Sequence, residues 1–200
     1  DNNPSLSVRP EEGLLRMRKK LGLYANLRPT FTFESLLEMS PIKRSIVKGT
    51  DLIFVRELTG GIYFGKRGKS PENDYAFDTC EYKKEEVERI AKIGFELARK
   101  RSKKLCCIDK ANVLETSRLW RKTVQSMERN YKDVEVSYEF VDAVAMRLIH
   151  SPNKYDVLIT SNLFGDILTD EASVISGSMG LMPSASIGLQ TSVYEQIHGS

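Results

Sequence analysis

The chain has 200 residues, 40% hydrophobic and 28% charged, with a net charge of +3. That composition fits a globular protein with a sizeable core, of one large domain or two small ones. No Lys/Arg run is dense enough for a nucleic-acid footprint, and no stretch of about 20 apolar residues exists to form a transmembrane helix.

Residues 1–5 read as loop. Pro10 then precedes a helix over residues 11–22, opened by acids, closed by bases, with Gly22 just past its end. Residues 23–33 read as a strand interrupted by Pro29, and Ser40-Pro41 opens a short helix ending near Gly49. The apolar run 51–55 reads as a buried strand, followed by a turn at Thr59-Gly60-Gly61. Residues 83–102 form the clearest helix. Val87, Ile90, Ala91, Gly94, Phe95 and Ala98 share one stripe, and Arg99-Lys100-Arg101 gather at the cationic end.

A buried strand over 104–108 and a helix over 116–129 follow. Val134, Val136, Tyr138 and Phe140 alternate with Glu135, Ser137 and Glu139, which gives a strand with one solvated face. A helix over 142–150, a buried strand over 156–160 and a helix over 163–175 complete an alternating α/β pattern. Residues 177–188, rich in Gly, Ser and Pro, read as a functional loop. The last residues again read as loop, and neither end looks like a natural terminus, so the chain reads as an excerpt. No signal peptide is visible. The three cysteines, Cys80, Cys106 and Cys107, suggest reduced, buried thiols of an intracellular protein.

Several constellations could carry chemistry. Asp166 and Asp170 stand four apart on a helix, so their carboxylates share a face. Such a pair is either a solvated surface or an oxygen site for a divalent cation. The apolar company of Asp166, in Asn162-Leu163-Phe164-Gly165-Asp166, calls for a partner. Asp142 opens a helix after a strand, as an N-cap or as a further metal ligand. Lys110 ends a strand, either solvated or as a general base beside a metal. Arg18, Arg28 and Arg56 lie in three separate elements and form a carboxylate clamp if the fold brings them together. The dinucleotide fingerprint Gly-x-Gly-x-x-Gly and the P-loop are both absent.

Three long motifs carry a resemblance. Arg56-Glu57-Leu58-Thr59-Gly60-Gly61-Ile62-Tyr63-Phe64-Gly65 is the first, and Asp109-Lys110-Ala111-Asn112-Val113-Leu114-Glu115 the second. The third is Asn162-Leu163-Phe164-Gly165-Asp166-Ile167-Leu168-Thr169-Asp170-Glu171-Ala172-Ser173. Together with the segments 9–28, 141–146 and 177–186, they resemble the 3-isopropylmalate dehydrogenases of the isocitrate/isopropylmalate dehydrogenase family, along essentially the whole chain. That resemblance implies a two-domain α/β fold with an incomplete first domain. Residues 1–23 and 177–200 then belong to a partial nucleotide-binding domain, and residues 24–176 form the second domain with the dimer interface.

The implied activity is NAD-dependent oxidative decarboxylation of 3-isopropylmalate in leucine biosynthesis, with Mg²⁺ or Mn²⁺, in a cytoplasmic homodimer whose active site is shared across subunits. Arg18, Arg28 and Arg56 match the arginines that hold substrate carboxylates. Tyr63 matches the tyrosine that protonates the product carbon, and Lys110 the base for the C2 hydroxyl. Asp142, Asp166 and Asp170 match the metal ligands, with Asp142 also against substrate and, like Lys110, serving the partner's site. Asn112 and His198-Gly199 match positions on the cofactor. Leu14, Leu15 and Val113 resemble an apolar pocket for the isopropyl group, and Glu11 repels a third carboxylate, which disfavours isocitrate. NAD over NADP rests on the resemblance alone. The alternatives are a related dehydrogenase acting on isocitrate, homoisocitrate or tartrate, and a non-catalytic dimerisation module.

Overall fold

The computed structural model describes residues 10–177 and 182–196. In chain order the elements are α1 (Pro10–Lys20), β1 (Leu23–Phe31), α2 (Arg44–Val47), β2 (Asp51–Glu57), β3 (Arg67–Lys69), β4 (Ala76–Asp78), α3 (Lys84–Lys100) and β5 (Lys104–Asp109). Then come α4 (Glu115–Glu128), β6 (Glu135–Phe140), α5 (Val141–His150), β7 (Val157–Thr160), α6 (Asn162–Ser173), β8 (Pro183–Gly188) and β9 (Ser192–Gln196). Short 3₁₀ turns occupy Glu34–Met39, Gly61–Tyr63 and Pro152–Lys154. Among the described residues no helix is long and apolar enough to cross a membrane.

Seven strands form one sheet in the order β6-β5-β7-β2-β1-β8-β9. The β6, β5, β7 and β2 strands run parallel, and β1, β8 and β9 add on antiparallel. The helices cover both faces. On one, the whole predicted α3 stripe from Val87 to Ala98 is buried, packing with Trp120 and Val124 of α4 onto Val55, Leu105, Cys107, Val157 and Ile159. Gly94 permits the close approach, since a Cβ there would stand 2.3 Å from Ile159 Cγ2. On the other face, Val144 and Leu148 of α5 and Leu168 and Ala172 of α6 cover Phe54, Cys106 and Leu158. Each such large side chain contributes roughly 1.5–3 kcal/mol by leaving water.

Three expectations change. β1 runs straight through Pro29. Thr32 N donates to Thr50 O and Leu58 N to Tyr24 O, so even-numbered residues of β1 bond to β2. The Pro29 nitrogen faces the other side, where the ladder to β8 has ended at Leu27, and its missing N–H breaks nothing. The segment read as a loop over 177–188 contains β8, and β9 pairs beside it. β8 is built from small residues without a β-branched run, so its strand character comes from pairing rather than propensity. Cys106 and Cys107 are buried, but Cys80, in the irregular stretch after β4, is exposed.

Register decides where polar groups gather. Ser186 pairs with Asn26, Asn26 with Arg56, and Arg56 with Thr160, a single row across four strands. Two residues earlier on the same face, β2 and β7 present Phe54 and Leu158. The face therefore turns from apolar to polar at the carboxyl ends of β2 and β7, where open α/β sheets bind ligands.

Candidate active site

Arg56 ends up 1% exposed beneath the start of α6. Its Nε and Nη2 donate to Asn162 Oδ1 at 3.1 and 2.8 Å, which leaves Nη1 to meet Asp166 Oδ1 at 2.5 Å. Gly165 makes this passage, since a Cβ there would lie 2.6 Å from Arg56 Cγ. The Tyr63 hydroxyl, delivered by the turn after β2, donates to the other oxygen of Asp166 at 2.6 Å. One turn along α6, Asp170 Oδ1 lies 3.6 Å from Arg28 Nη1. Arg28 also donates to Thr169 Oγ1 at 3.4 Å and, through Nε, to Asn26 Oδ1 at 2.9 Å. The Asn26 amide is itself held by Ser184 and Ser186 of β8.

The three arginines converge, which the sequence left open. Arg18, 7% exposed on α1, has its pKa lowered to about 10 by burial first and then by Arg56, against the carboxylates of Glu195 and Asp166. Arg28 is lowered by burial, then by Arg56, against Asp170, Asp166 and Glu195. At about 10, Arg18 keeps its charge at neutral pH. Burial, followed by the bond to Asp166, pushes Tyr63 up to about 12, so the phenol keeps its proton. In formal charge, Arg18, Arg28 and Arg56 are balanced by Asp166, Asp170 and Glu195. Such a cluster stays balanced when a dianion and a divalent cation enter together, and is unbalanced by either alone.

Lys110 and Asp142 form a second group. Lys110 Nζ lies 2.7 Å from Asp142 Oδ1 and 5.8 Å from the centre of the Phe140 ring. Asp142's carboxyl is held below its usual range chiefly by that bond. The loop carrying Lys110 is stiffened from behind. Buried Asp109 accepts from Ala111 N at 2.8 Å and from Arg121 at 2.7 Å. Arg118 donates to the carbonyls of Ala111, Asn112 and Val113. Asn112 and Val113 stand exposed on this loop. Leu14 and Leu15, one turn before Arg18, share its side of α1. The side chain of Glu11, and His198 and Gly199, lie outside the described residues.

The donor chemistry suits a hard divalent cation. Asp166 and Asp170 offer carboxylate oxygens on one helix face, with side chains 38% and 49% exposed. Asp142 is engaged by Lys110 instead, and among the described residues no group of three His, Cys, Asp or Glu comes together. A single chain thus brings two of the three expected carboxylates to this place.

Sequence reasoning missed the residues that hold the cluster from below. Asn26, Thr169 and Asn162 are each 0% exposed. Asn26 carried a signal, being two residues from Arg28 on one strand and so on its face. Asn162 opens the third motif, yet its link to Arg56 crosses 106 positions and depends on the β2–β7 register.

The family model described as isocitrate/isopropylmalate dehydrogenase matches residues 2–200. The chain is 57% identical to the 3-isopropylmalate dehydrogenase of Bacteroides fragilis (strain YCH46) over 200 residues, which is all of this chain and 56% of that protein. It is 53% identical to the 3-isopropylmalate dehydrogenase of Aquifex aeolicus (strain VF5), again across all of this chain and 56% of that protein. Among solved structures, isocitrate dehydrogenase from Methylococcus capsulatus superimposes with a TM-score of 0.88 at 33% identity, covering 100% of this chain and 57% of that one. The chain thus spans about half the length of the curated relatives it matches.

Proposed function

The chain belongs to the isocitrate/isopropylmalate dehydrogenase family, and from that premise we propose that the whole protein oxidatively decarboxylates 3-isopropylmalate to 2-oxoisocaproate with NAD, in leucine biosynthesis. The observation that carries the reading is the joining of Arg18, Arg28 and Arg56 with Tyr63, Asp166 and Asp170 in one charge-balanced cluster. The family names of the relatives support the substrate. In this reading residues 1–23 and 177–200 belong to the nucleotide-binding domain and residues 24–176 to the second domain, with the boundary falling inside a continuous sheet. The protein is a cytoplasmic homodimer.

The arginines bind the two carboxylates of the substrate and orient it, since planar guanidinium forks match carboxylates. Lys110 of the partner subunit accepts the proton of the C2 hydroxyl as the C2 hydrogen leaves with its electron pair. The resulting β-keto acid loses CO₂, and Tyr63 gives its hydroxyl proton to the carbon left behind. Its raised pKa keeps that proton available at neutral pH. When bound, a Mg²⁺ or Mn²⁺ ion on Asp166 and Asp170, completed by the partner's copy of the Asp142 position, supplies Lewis-acid polarisation of the C2 oxygen, and NAD supplies the hydride acceptor. Asn112, His198 and Gly199 contact that cofactor. Leu14, Leu15 and Val113 take the isopropyl group, and Glu11 discriminates against a third carboxylate.

Initial rates of NADH formation by the full-length protein test the reading. 3-Isopropylmalate with Mn²⁺ or Mg²⁺ gives absorbance at 340 nm, and isocitrate gives little. A preference for isocitrate overturns the substrate assignment.

A further inference from the structure

Arg56 and Glu57 are neighbours on β2 and so point to opposite faces of the sheet. Arg56 enters the cluster just described, whereas Glu57 turns toward α3 and is completely buried. A carboxylate in that position needs a full set of donors, and it has them. Its Oε1 accepts from Thr59 N at 2.9 Å, Thr59 Oγ1 at 3.0 Å and Arg89 Nη2 at 3.2 Å. Its Oε2 accepts from Gly60 N at 2.7 Å. Arg89 in turn donates to Thr59 Oγ1 at 2.7 Å and lies over the Tyr24 ring at 4.8 Å. Burial raises the Glu57 pKa, and the two backbone N–H groups and Arg89 pull it back.

The backbone gripped in this way leads directly into the Gly61–Tyr63 turn. From the other face, Asn162 Nδ2 donates to Gly60 O at 3.1 Å while its Oδ1 receives Arg56. Above the loop lies Tyr82, whose ring would be 2.8 Å from a Cβ at Gly60 and whose hydroxyl would be 2.5 Å from one at Gly61. The loop is thus fixed from both faces of one strand end, with no slack for an added side chain.

We propose that Glu57 is a positioning residue for Tyr63: with Arg89 as its counter-charge, it pins the Thr59–Gly60 backbone and so sets where the tyrosine hydroxyl meets Asp166. Glu57 touches no reacting atom and acts through the turn. The kinetic arm of the test rests on the proposed decarboxylation, and the exchange arm does not.

In the full-length protein, Glu57→Gln keeps the shape but replaces one accepting oxygen with an NH₂ that cannot accept from Thr59 or Gly60. Hydrogen exchange read by mass spectrometry is expected to speed up over residues 59–63. The kcat is expected to fall about tenfold or more while KM for the hydroxy acid stays within about twofold, because a small misplacement costs rate and the arginine clamp is untouched. Combined with Tyr63→Phe, the double variant should be no more than about twofold slower than Tyr63→Phe alone, as residues acting through one another do not add. Unchanged exchange over 59–63, or losses that multiply in the double variant, overturns the proposal. Thr59→Val, which removes only the hydroxyl shared by Glu57 and Arg89, is run beside it under the same criteria, so the question is decided even if Glu57→Gln does not fold. If the wild type fails to turn over 3-isopropylmalate, the function assignment falls, while the exchange measurement still decides the role of Glu57.

Discussion

Gly165→Ala removes no functional group, yet it should damage the site. The new Cβ would lie 2.6 Å from Arg56 Cγ, 2.8 Å from Thr160 Cγ2 and 2.9 Å from Arg56 Cβ. Carbon atoms rest at about 3.5–4.0 Å, so the stem of Arg56 must retreat by about 1 Å. The nearest atoms belong to the inner stem and a β-branched side chain, not to a free tip. Alanine in a helix interior gains about 0.5–1 kcal/mol over glycine, while overpacking costs about 1–3 kcal/mol. A net loss of about 1 kcal/mol follows, and Tm should fall by a few degrees. The effect on rate should be larger, since about 1 Å of misplacement of a binding group costs about 100-fold, or about 2.7 kcal/mol of barrier. Gly13→Ala is the control, because nothing lies within 4 Å of a Cβ there. It should stabilise by about 0.5–1 kcal/mol. Thermal melts and kcat/KM of both variants check the reasoning. If Gly165→Ala proves as active as wild type, or gains stability as Gly13→Ala does, the stem of Arg56 is not packed tightly against Gly165.

Tyr63→Phe should lower kcat by about 100-fold or more, the usual worth of a positioned proton donor, with a smaller change in KM; steady-state kinetics decides it, and near-normal kcat removes Tyr63 from the proton step. Lys110→Met and Asp166→Asn should each be inactive, but co-expressed they should recover activity in the mixed dimer, because one of its two sites then carries neither change; no recovery argues against a shared site. Burial pushes Cys106 up to about 12 and Cys107 well up too, so alkylation of the native protein at pH 8 followed by peptide mapping should label Cys80 and spare both. The same shift means that the folded state keeps those protons when the unfolded chain loses them. Stability from Cys106 is therefore present below the ordinary thiol value of 9.0 and is lost as pH rises toward 12, which melts at rising pH can follow against Cys106→Ala.

The parts of the fold that follow one periodicity were readable from the chain. The α3 stripe from Val87 to Ala98 is buried as its spacing implies, and the apolar runs at 51–55 and 104–108 are interior strands. What depends on pairing was not. β8, written in Pro, Ser, Ala, Ile and Gly, reads as loop until Ser184 and Ser186 are seen to bond with Asn26. The same holds in the site. Arg18, Arg28 and Arg56 stood out as residue types, but their convergence is set by the β1–β2 register and by how α1 packs on β1. Glu57 was visible only as a neighbour of Arg56, because nothing local tells which strand face is lined by donors.

The proposed function makes this chain the substrate- and metal-binding half of an oxidative decarboxylase. Its most direct test is to measure NADH and CO₂ together during one turnover course of the full-length protein with 3-isopropylmalate. Equal amounts of both are expected, and the loss of both when EDTA removes the divalent cation. NADH without CO₂, or full rates in EDTA, would contradict it.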